Sequence, residues 1–527
     1  MFDVAIIGGT VVDGTETPAY RADVGINGET IEAIGDLSKA EARRIVDATG
    51  HVVSPGFIDT HAHSDGALLV NPQHENGLRQ GITTEILGPD GLSYAPLSAK
   101  NYPVYGRYMA GILGEPPEDL DMSSVAAFRA NYHKKVAINT AYTVAHGALR
   151  LETVGFRDVP LVGDALDKAK RLIRDGIEQG AIGFATGMSY HPQSWSDTTE
   201  MVELCKAAHE AGGRYLTHVR NVNTDRAFGG GGVTEALEIG RQSGVGVHFS
   251  HHRTSPDNAG KVAEIMEEID RAKAEGVTVT LELYPYPTGS SFPLSFLPSA
   301  DHEGGLDAIM ERFRDPHERR RLIDYIDNEY WRPLDDAVFT HMGKKNKDLE
   351  GMSLPDVAAN RGTTIGETLI DLLEEEEGQI GYRGGPPHSI ALWRQVNRDA
   401  LELLSRPDYM VGSDSIPVGS LPHPRAYGTF PRLIGRLRRQ IGTMTLEQMV
   451  QRMSDNPART FGLTRRGRIE KGYYADVDVF DADRIIDNAT YEDPRQFPAG
   501  IPYVLVNGQV AVDQERCTGV MAGQAVP

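Results

Sequence analysis

The segment GFIDTHAHSD, residues 56–65, carries two histidines two residues apart, His61 and His63, at the end of an apolar run. Side chains alternate along an extended strand, so residues two apart project from one face. Two imidazoles converging from one strand end suit a divalent metal, most commonly zinc. Other apolar runs end in the same way. RYLTHVR ends on His218, VGVHFSHHR offers His251 or His252, and DYMVGSDS offers Asp414. Four imidazoles and a carboxylate form a metal-binding donor set if those runs are neighbours in one sheet and share a rim.

The elements that must position them are legible as an alternation. Short β-like runs fall at residues 57–63, 82–88, 136–146, 181–186, 214–219, 245–251, 277–284 and 408–414. Helical patterns such as LVGDALDKAKRLIRDGIEQG and EMVELCKAAHEAGG lie between most of them. Eight strands separated by helices predict an α/β chain folded as a (β/α)8 TIM-like barrel, with a doubly wound open sheet as the alternative. In such barrels the C-terminal strand ends carry the active site. The last two strands are far apart, and residues 288–350 read as an insertion suited to a lid. Residues 1–54 and 465–527 instead show short strands and turns, which predict one small β-sandwich built from both termini. The barrel then occupies 55–287 and 351–464. The Gly8–Gly9 pair lacks the GxGxxG spacing of a dinucleotide loop.

Composition narrows the partners. The chain has 527 residues, 40% hydrophobic and 24% charged, which is globular and long enough for roughly two to four domains. A net charge of −21 argues against nucleic acid, whose phosphates need basic partners. No apolar run is long enough to span a membrane, and MFDVAIIGGT has neither a basic region nor a cleavage site, so neither a membrane span nor a secretory leader is expected. Two cysteines, Cys205 and Cys517, allow no disulfide framework and suit a reducing cytoplasm. The run Glu374–Glu377 reads as a solvated helix end. The aromatic residues of FPLSFLP and YPVYGRYM read mainly as core, with an apolar pocket as the other use.

The segments SPGFIDTHAHSD, GITTEILGPDGLSYAP, VAHGALR, EQGAIGFATGMSY, THVRN, SHHR, ELYPYPTGSS, GSDS and HPRAYGTFPR together resemble the amidohydrolase superfamily, and within it the N-acyl-D-amino-acid deacylases, or D-aminoacylases. The resemblance spans most of the chain. It implies a metal-dependent hydrolase that splits N-acyl-D-amino acids into a carboxylate and a free D-amino acid. His61, His63 and Asp414 would form one metal site and His218 with His251 the other. Asp414 would act as general base and acid. Zinc is the implied ion, one or two per chain, with manganese or cobalt as alternatives. Tyr284, Arg425, Arg253 and Tyr190 would face a small substrate that carries a carboxylate. His146 would either support the site or be structural. One position departs from the family: D-aminoacylases place a metal-binding cysteine in GNCG after the second strand, and this chain reads GPDG, with Asp90 there. A carboxylate can bridge metals too, and it widens the choice of ion. The metal ring alone equally admits opening of a cyclic amide or a non-hydrolytic reaction, and a homo-oligomer stays open.

Overall fold

The computed structural model describes every residue except 222, 333 and 527. Its centre is a single sheet of eight parallel strands: β1 (Phe57–Asp59), β2 (Ile82–Leu87), β3 (Asn139–Ala145), β4 (Gly183–Gly187), β5 (Arg214–His218), β6 (Val247–Phe249), β7 (Val279–Leu283) and β8 (Tyr409–Val411). They lie side by side in sequence order. The first and last meet through backbone bonds, Thr60 N–H to Val411 O at 3.2 Å and Asp414 N–H to His61 O at 2.7 Å. The sheet therefore closes into the expected barrel, and all eight strands fall within the expected runs to a few residues.

Both faces of these strands are covered, so they read as near-continuous apolar runs. Ile58, Ile86, Ala141, Ala185, Leu216 and Met410 fill the barrel interior. The C-terminal tail closes the floor: Val526 joins that cluster, and its N–H donates to Thr140 O at 2.9 Å. Outside lie amphipathic helices. In Thr198–Glu210 the side chain of Asp197 accepts from the Glu200 N–H and caps the first turn. The same helix buries Met201, Leu204, Cys205 and Ala208 against the barrel. Cys205 is thus an inert core thiol.

The two chain ends share one β-structure. Val52–Pro55 pairs antiparallel with Val477–Phe480, and the apolar core between the sheets joins Val4, Ile6, Val24, Ile26 and Val53 to Val477, Val479 and Leu505.

The segment between β7 and β8 runs further than residue 350. Its three-stranded antiparallel sheet joins Ser290–Ser291, Ala337–Met342 and Ile380–Gly384, so the insertion continues to residue 384. Helix Ile390–Leu404 then returns to the barrel and precedes β8. The strand IGYRG is too short to register as a period. The acidic run differs from expectation at one residue. Glu376 is fully buried, and its carboxylate accepts from the backbone N–H groups of Lys345 and Asn346 at 3.0 and 2.9 Å. It organises a turn of the insertion and is not solvated.

Candidate metal centre and catalytic cavity

The polar residues at the strand ends converge on one rim. His61 and His63 continue the line of β1, and His218 ends β5. Asp90 lies in the single turn Pro89–Gly91 after β2, His251 two residues after β6, and Asp414 three after β8. Asp90, His251 and Asp414 have left-handed backbones, with φ of 56°, 37° and 53°. Such angles are uncommon outside glycine and mark positions held by their surroundings. Here they turn three side chains inward where the strands stop.

His61 Nε2 lies 3.3 Å from His63 Nε2, and Asp414 Oδ1 lies 3.5 and 3.3 Å from those two atoms. On the other side His218 Nδ1 and His251 Nε2 are 2.9 Å apart. Between the two groups stands one oxygen. Asp90 Oδ2 is 3.5 Å from His61, 3.7 Å from His63, 3.6 Å from His218 and 3.7 Å from His251. Four donors at 2.0–2.1 Å from one tetrahedral zinc stand about 3.3 Å apart. The spacing, the nitrogen and carboxylate donors, and the burial of Asp90 and Asp414 therefore fit a divalent ion, or two with Asp90 between them.

Charge is concentrated here. Burial disfavours the His61 cation, but the carboxylates of Asp90, Glu282 and Asp414 outweigh it and hold its pKa well above the ordinary value. Burial works against charge on Asp90 as well, yet His61, His218 and His251 hold its carboxyl well below the usual range. Asp414 is opposed by burial and held down by Arg425 and then His61. His63 is lowered by burial.

Two supporting carboxylates were not singled out from the sequence. Glu282 on β7 is fully buried, with Oε1 at 2.9 Å from His61 Nδ1. A carboxylate only accepts, so His61 carries a proton on Nδ1, and Nε2 is the ring nitrogen that faces the centre. Asp59 Oδ1 accepts from the N–H groups of Ser413 and His61 at 2.8 and 3.1 Å, tying β1 to the loop after β8. The available signal was a charged residue inside an apolar strand, at Glu282 in VTVTLELYPY and at Asp59 in GFIDT.

The two ambiguous histidines are separated by the structure. His252 points away, with Nδ1 at 2.8 Å from Tyr409 Oη, and burial brings its pKa down to about 4. His146 is not brought to the cluster. It packs beside the Arg150–Glu200 ion pair, 3.4 Å from Ser196 Oγ.

Arg425 begins the helix Arg425–Pro431, with Nη1 at 2.8 Å from Asp414 Oδ2. Its guanidinium lies 4.7 Å from the centre of the Tyr284 ring, and Arg253 covers the same ring at 4.3 Å. Arg253 also donates to Tyr284 Oη at 2.8 Å and to the carbonyl of Thr254 at 3.0 Å. Tyr284 and Arg425 line the cavity, whereas Arg253 is not among its lining residues and touches Tyr284 instead. The Tyr190 ring lies 5.0 Å from that of His218, on the same wall. The cavity measures about 680 Å³ and is roofed by Phe296, Leu297, Tyr330 and Tyr382 of the insertion. Part of FPLSFLP thus faces the cavity, while Tyr102, Tyr105 and Tyr108 of YPVYGRYM are core.

Residues 381–512 match the family described as Amidohydrolase family. Over 511 residues the chain is 35% identical to an N-acyl-D-glutamate deacylase of Alcaligenes xylosoxydans xylosoxydans, covering 96% of this chain and 93% of that protein. It is 32% identical over 533 residues to a D-aminoacylase of the same organism, covering 100% and 97%. Among solved structures, the N-acyl-D-glutamate deacylase of Bordetella bronchiseptica, complexed with zinc and a phosphonate inhibitor, matches with a TM-score of 0.82 at 32% identity, over all of this chain and 99% of that one. With full-length identity and a common fold, the chain belongs to the D-aminoacylase group of the amidohydrolases and is a metal-dependent hydrolase of C–N bonds other than peptide bonds.

Proposed function

We propose that the protein hydrolyses N-acyl-D-amino acids to a carboxylate and a free D-amino acid, with Asp414 as the proton carrier. The observation that carries this reading is the two-sided placement of Asp414. Its Oδ1 faces His61 and His63, and its Oδ2 faces Arg425. One carboxylate thus spans the metal ligands and the anchor for a substrate carboxylate.

His61, His63, Asp90, His218, His251 and Asp414 would hold the ion: zinc by donor type, with manganese or cobalt as alternatives. A divalent ion in such a site supplies Lewis acidity and makes a bound water acidic near neutral pH. Asp414 accepts the proton of the attacking water and returns it to the leaving nitrogen. Arg425 and the Tyr284 hydroxyl hold the α-carboxylate. Arg253 donates to Tyr284 Oη and so leaves that hydroxyl's own proton free for the substrate. A substrate carboxylate on Arg425 draws the guanidinium from Asp414 Oδ2 and frees that oxygen to carry a proton. With the carboxylate and the attacking water both fixed, only one configuration at the α-carbon presents its acyl group to the water. Tyr190 lines the wall beside His218. Among the described residues no helix is long and apolar enough to cross a membrane. Both cysteines are free, in keeping with a reducing cytoplasm.

Amine release from paired N-acyl-D- and N-acyl-L-amino acids, with zinc, manganese or cobalt added to the purified protein, tests this. Release from the D series alone is expected. Equal release from both series, or none with any metal, overturns it. Asp414→Asn is expected to lower kcat by at least about 10²-fold while zinc remains bound, and wild-type turnover in that variant refutes the proton-carrying role.

A further inference from the structure

One carboxylate oxygen touches both halves of the metal centre. Glu282 Oε1 lies 2.9 Å from His61 Nδ1, whose ring faces His63 and Asp414. The same oxygen accepts from the backbone N–H of His251 at 2.5 Å, and the His251 ring faces Asp90 and His218. His251 holds φ of 37°, so its backbone needs an external hold to stay there. The next residue is tied to the same strand position, His252 N–H donating to the Glu282 carbonyl at 2.9 Å. The other carboxylate oxygen, Oε2, has no hydrogen-bond partner among the described residues and packs against Gly412, where a Cβ would fall 2.0 Å from it. Glu282 is therefore fixed in place by the barrel wall and directs its one engaged oxygen at two ligands from two different strands.

We propose that Glu282 is a positioning residue that couples the two halves of the metal centre: Oε1 sets the tautomer of the His61 ring on one side and holds the left-handed backbone of His251 on the other. This rests on the metal centre proposed above. Without that oxygen the His61 proton is free to move to Nε2, where it blocks the donor atom. The His251 backbone is also free to leave its strained angle, which swings the imidazole off Asp90. The two failures have one cause, so loss of Glu282 weakens both halves together, unlike loss of any single ligand.

The test is zinc binding to the metal-free full-length protein, measured by competition with a chromophoric chelator, alongside the melting temperature without metal. Glu282→Met keeps the volume and removes the acceptor, and we expect it to weaken both zinc affinities, each by about 10–100-fold. Glu282→Gln keeps an accepting oxygen without the charge, and recovers most of that loss at both sites. A metal-free melting temperature close to wild type in Glu282→Gln separates positioning from general stability. If the methionine variant fails to fold, Glu282→Leu replaces it as the variant without an acceptor, and in either one a loss confined to one ion overturns the coupling. So does unchanged binding of both ions in Glu282→Met. A wild-type protein that takes up no zinc overturns the metal centre itself, which is a different result.

Discussion

Asp90→Asn isolates the question posed by the aspartate that stands in a cysteine's place. The change removes a charge and keeps the shape. Asparagine tolerates a left-handed backbone as well as aspartate does, so φ of 56° is not disturbed. Asp90 Oδ2 stands 3.5–3.7 Å from nitrogens of four histidines, and the side chain is 2% exposed. Removing one charged partner from a buried, paired cluster costs about 3–5 kcal/mol. Because that oxygen lies between the two halves, the cost falls on holding a second ion beside the first. Expressed as affinity, it is roughly 10²- to 10⁴-fold for the weaker zinc. Zinc titration of the metal-free protein by chelator competition, with metal content checked by elemental analysis, reads this directly. Asp90→Cys is the companion: a thiolate is a softer ligand, so zinc binding returns while manganese is disfavoured. If Asp90→Asn binds two zinc ions at wild-type affinity, the GPDG segment is only a turn, and the bridging role is wrong.

Three other outcomes follow from separate features. Arg425→Ala removes a charged hydrogen-bond donor pair worth about 1.5–3 kcal/mol, so kcat/KM for N-acyl-D-amino acids should fall roughly 10–150-fold further than that for the matching neutral amides, which lose only the pairing of Arg425 with Asp414; equal losses would deny the anchor role. The 680 Å³ cavity with its roof of Phe296, Leu297, Tyr330 and Tyr382 should favour bulky apolar substrates, and burying a phenyl group adds about 1.5–3 kcal/mol, so N-acetyl-D-phenylalanine should exceed N-acetyl-D-alanine by roughly 10–100-fold in kcat/KM; a preference for N-acetyl-D-glutamate or N-acetyl-D-aspartate would show that the roof has been misread. His248, on β6 and buried against Phe461, has its pKa pulled to about 3, first by burial and then by Arg214. A histidine depressed in the folded state contributes stability that is complete above its unfolded pKa of about 6.5 and is lost as pH falls, here by about 2 kcal/mol between pH 6.5 and 5. Urea unfolding of the wild type and of His248→Asn at those two pH values should differ in slope by that amount, and parallel behaviour would contradict it.

The barrel was legible because its strands are buried on both faces, and the chemistry was legible because four of the runs carry histidine or aspartate at their ends. Apolar runs of four to eight residues between helical periods leave few alternatives once there are eight of them. The histidine pair survived an error of detail: β1 stops at Asp59, and His61 and His63 lie beyond it. The two side chains still share a face because the chain stays extended there, with His63 N–H donating to Ser415 O at 2.9 Å. The end of the insertion was not legible, since Ile380–Gly384 gains its strand character only by pairing with Ala337–Met342. Nor was the burial of Glu376, because a carboxylate that caps three backbone N–H groups looks in sequence like its solvated neighbours. Arg253 was read as facing the substrate. Its charge and place in the chain suit that, but its guanidinium donates to the Tyr284 hydroxyl and is not among the groups lining the cavity.

What no linear pattern carries is the way three ligands are aimed. Asp90, His251 and Asp414 each leave their strand with φ above 30°, a conformation that costs about 1–3 kcal/mol at a residue other than glycine. Strand periodicity predicts where a side chain points only while the strand continues, and each of these residues lies past the end. The cost is sustained by contacts that are distant in sequence: Asp414 by the His61 carbonyl, Asp90 by the Gln193 amide at 3.0 Å, and His251 by Glu282. Each of these partners belongs to another strand or its loop, so the barrel must close before any of the three angles is stable. The donor atoms are thus gathered by contacts of the fold itself. On the proposed reading such a site is sensitive to substitutions that touch no donor atom, because the backbone angles that aim its donors depend on residues outside it. The buried carboxylates in the barrel wall are then as much a part of the proposed metal centre as the histidines that a sequence motif reveals.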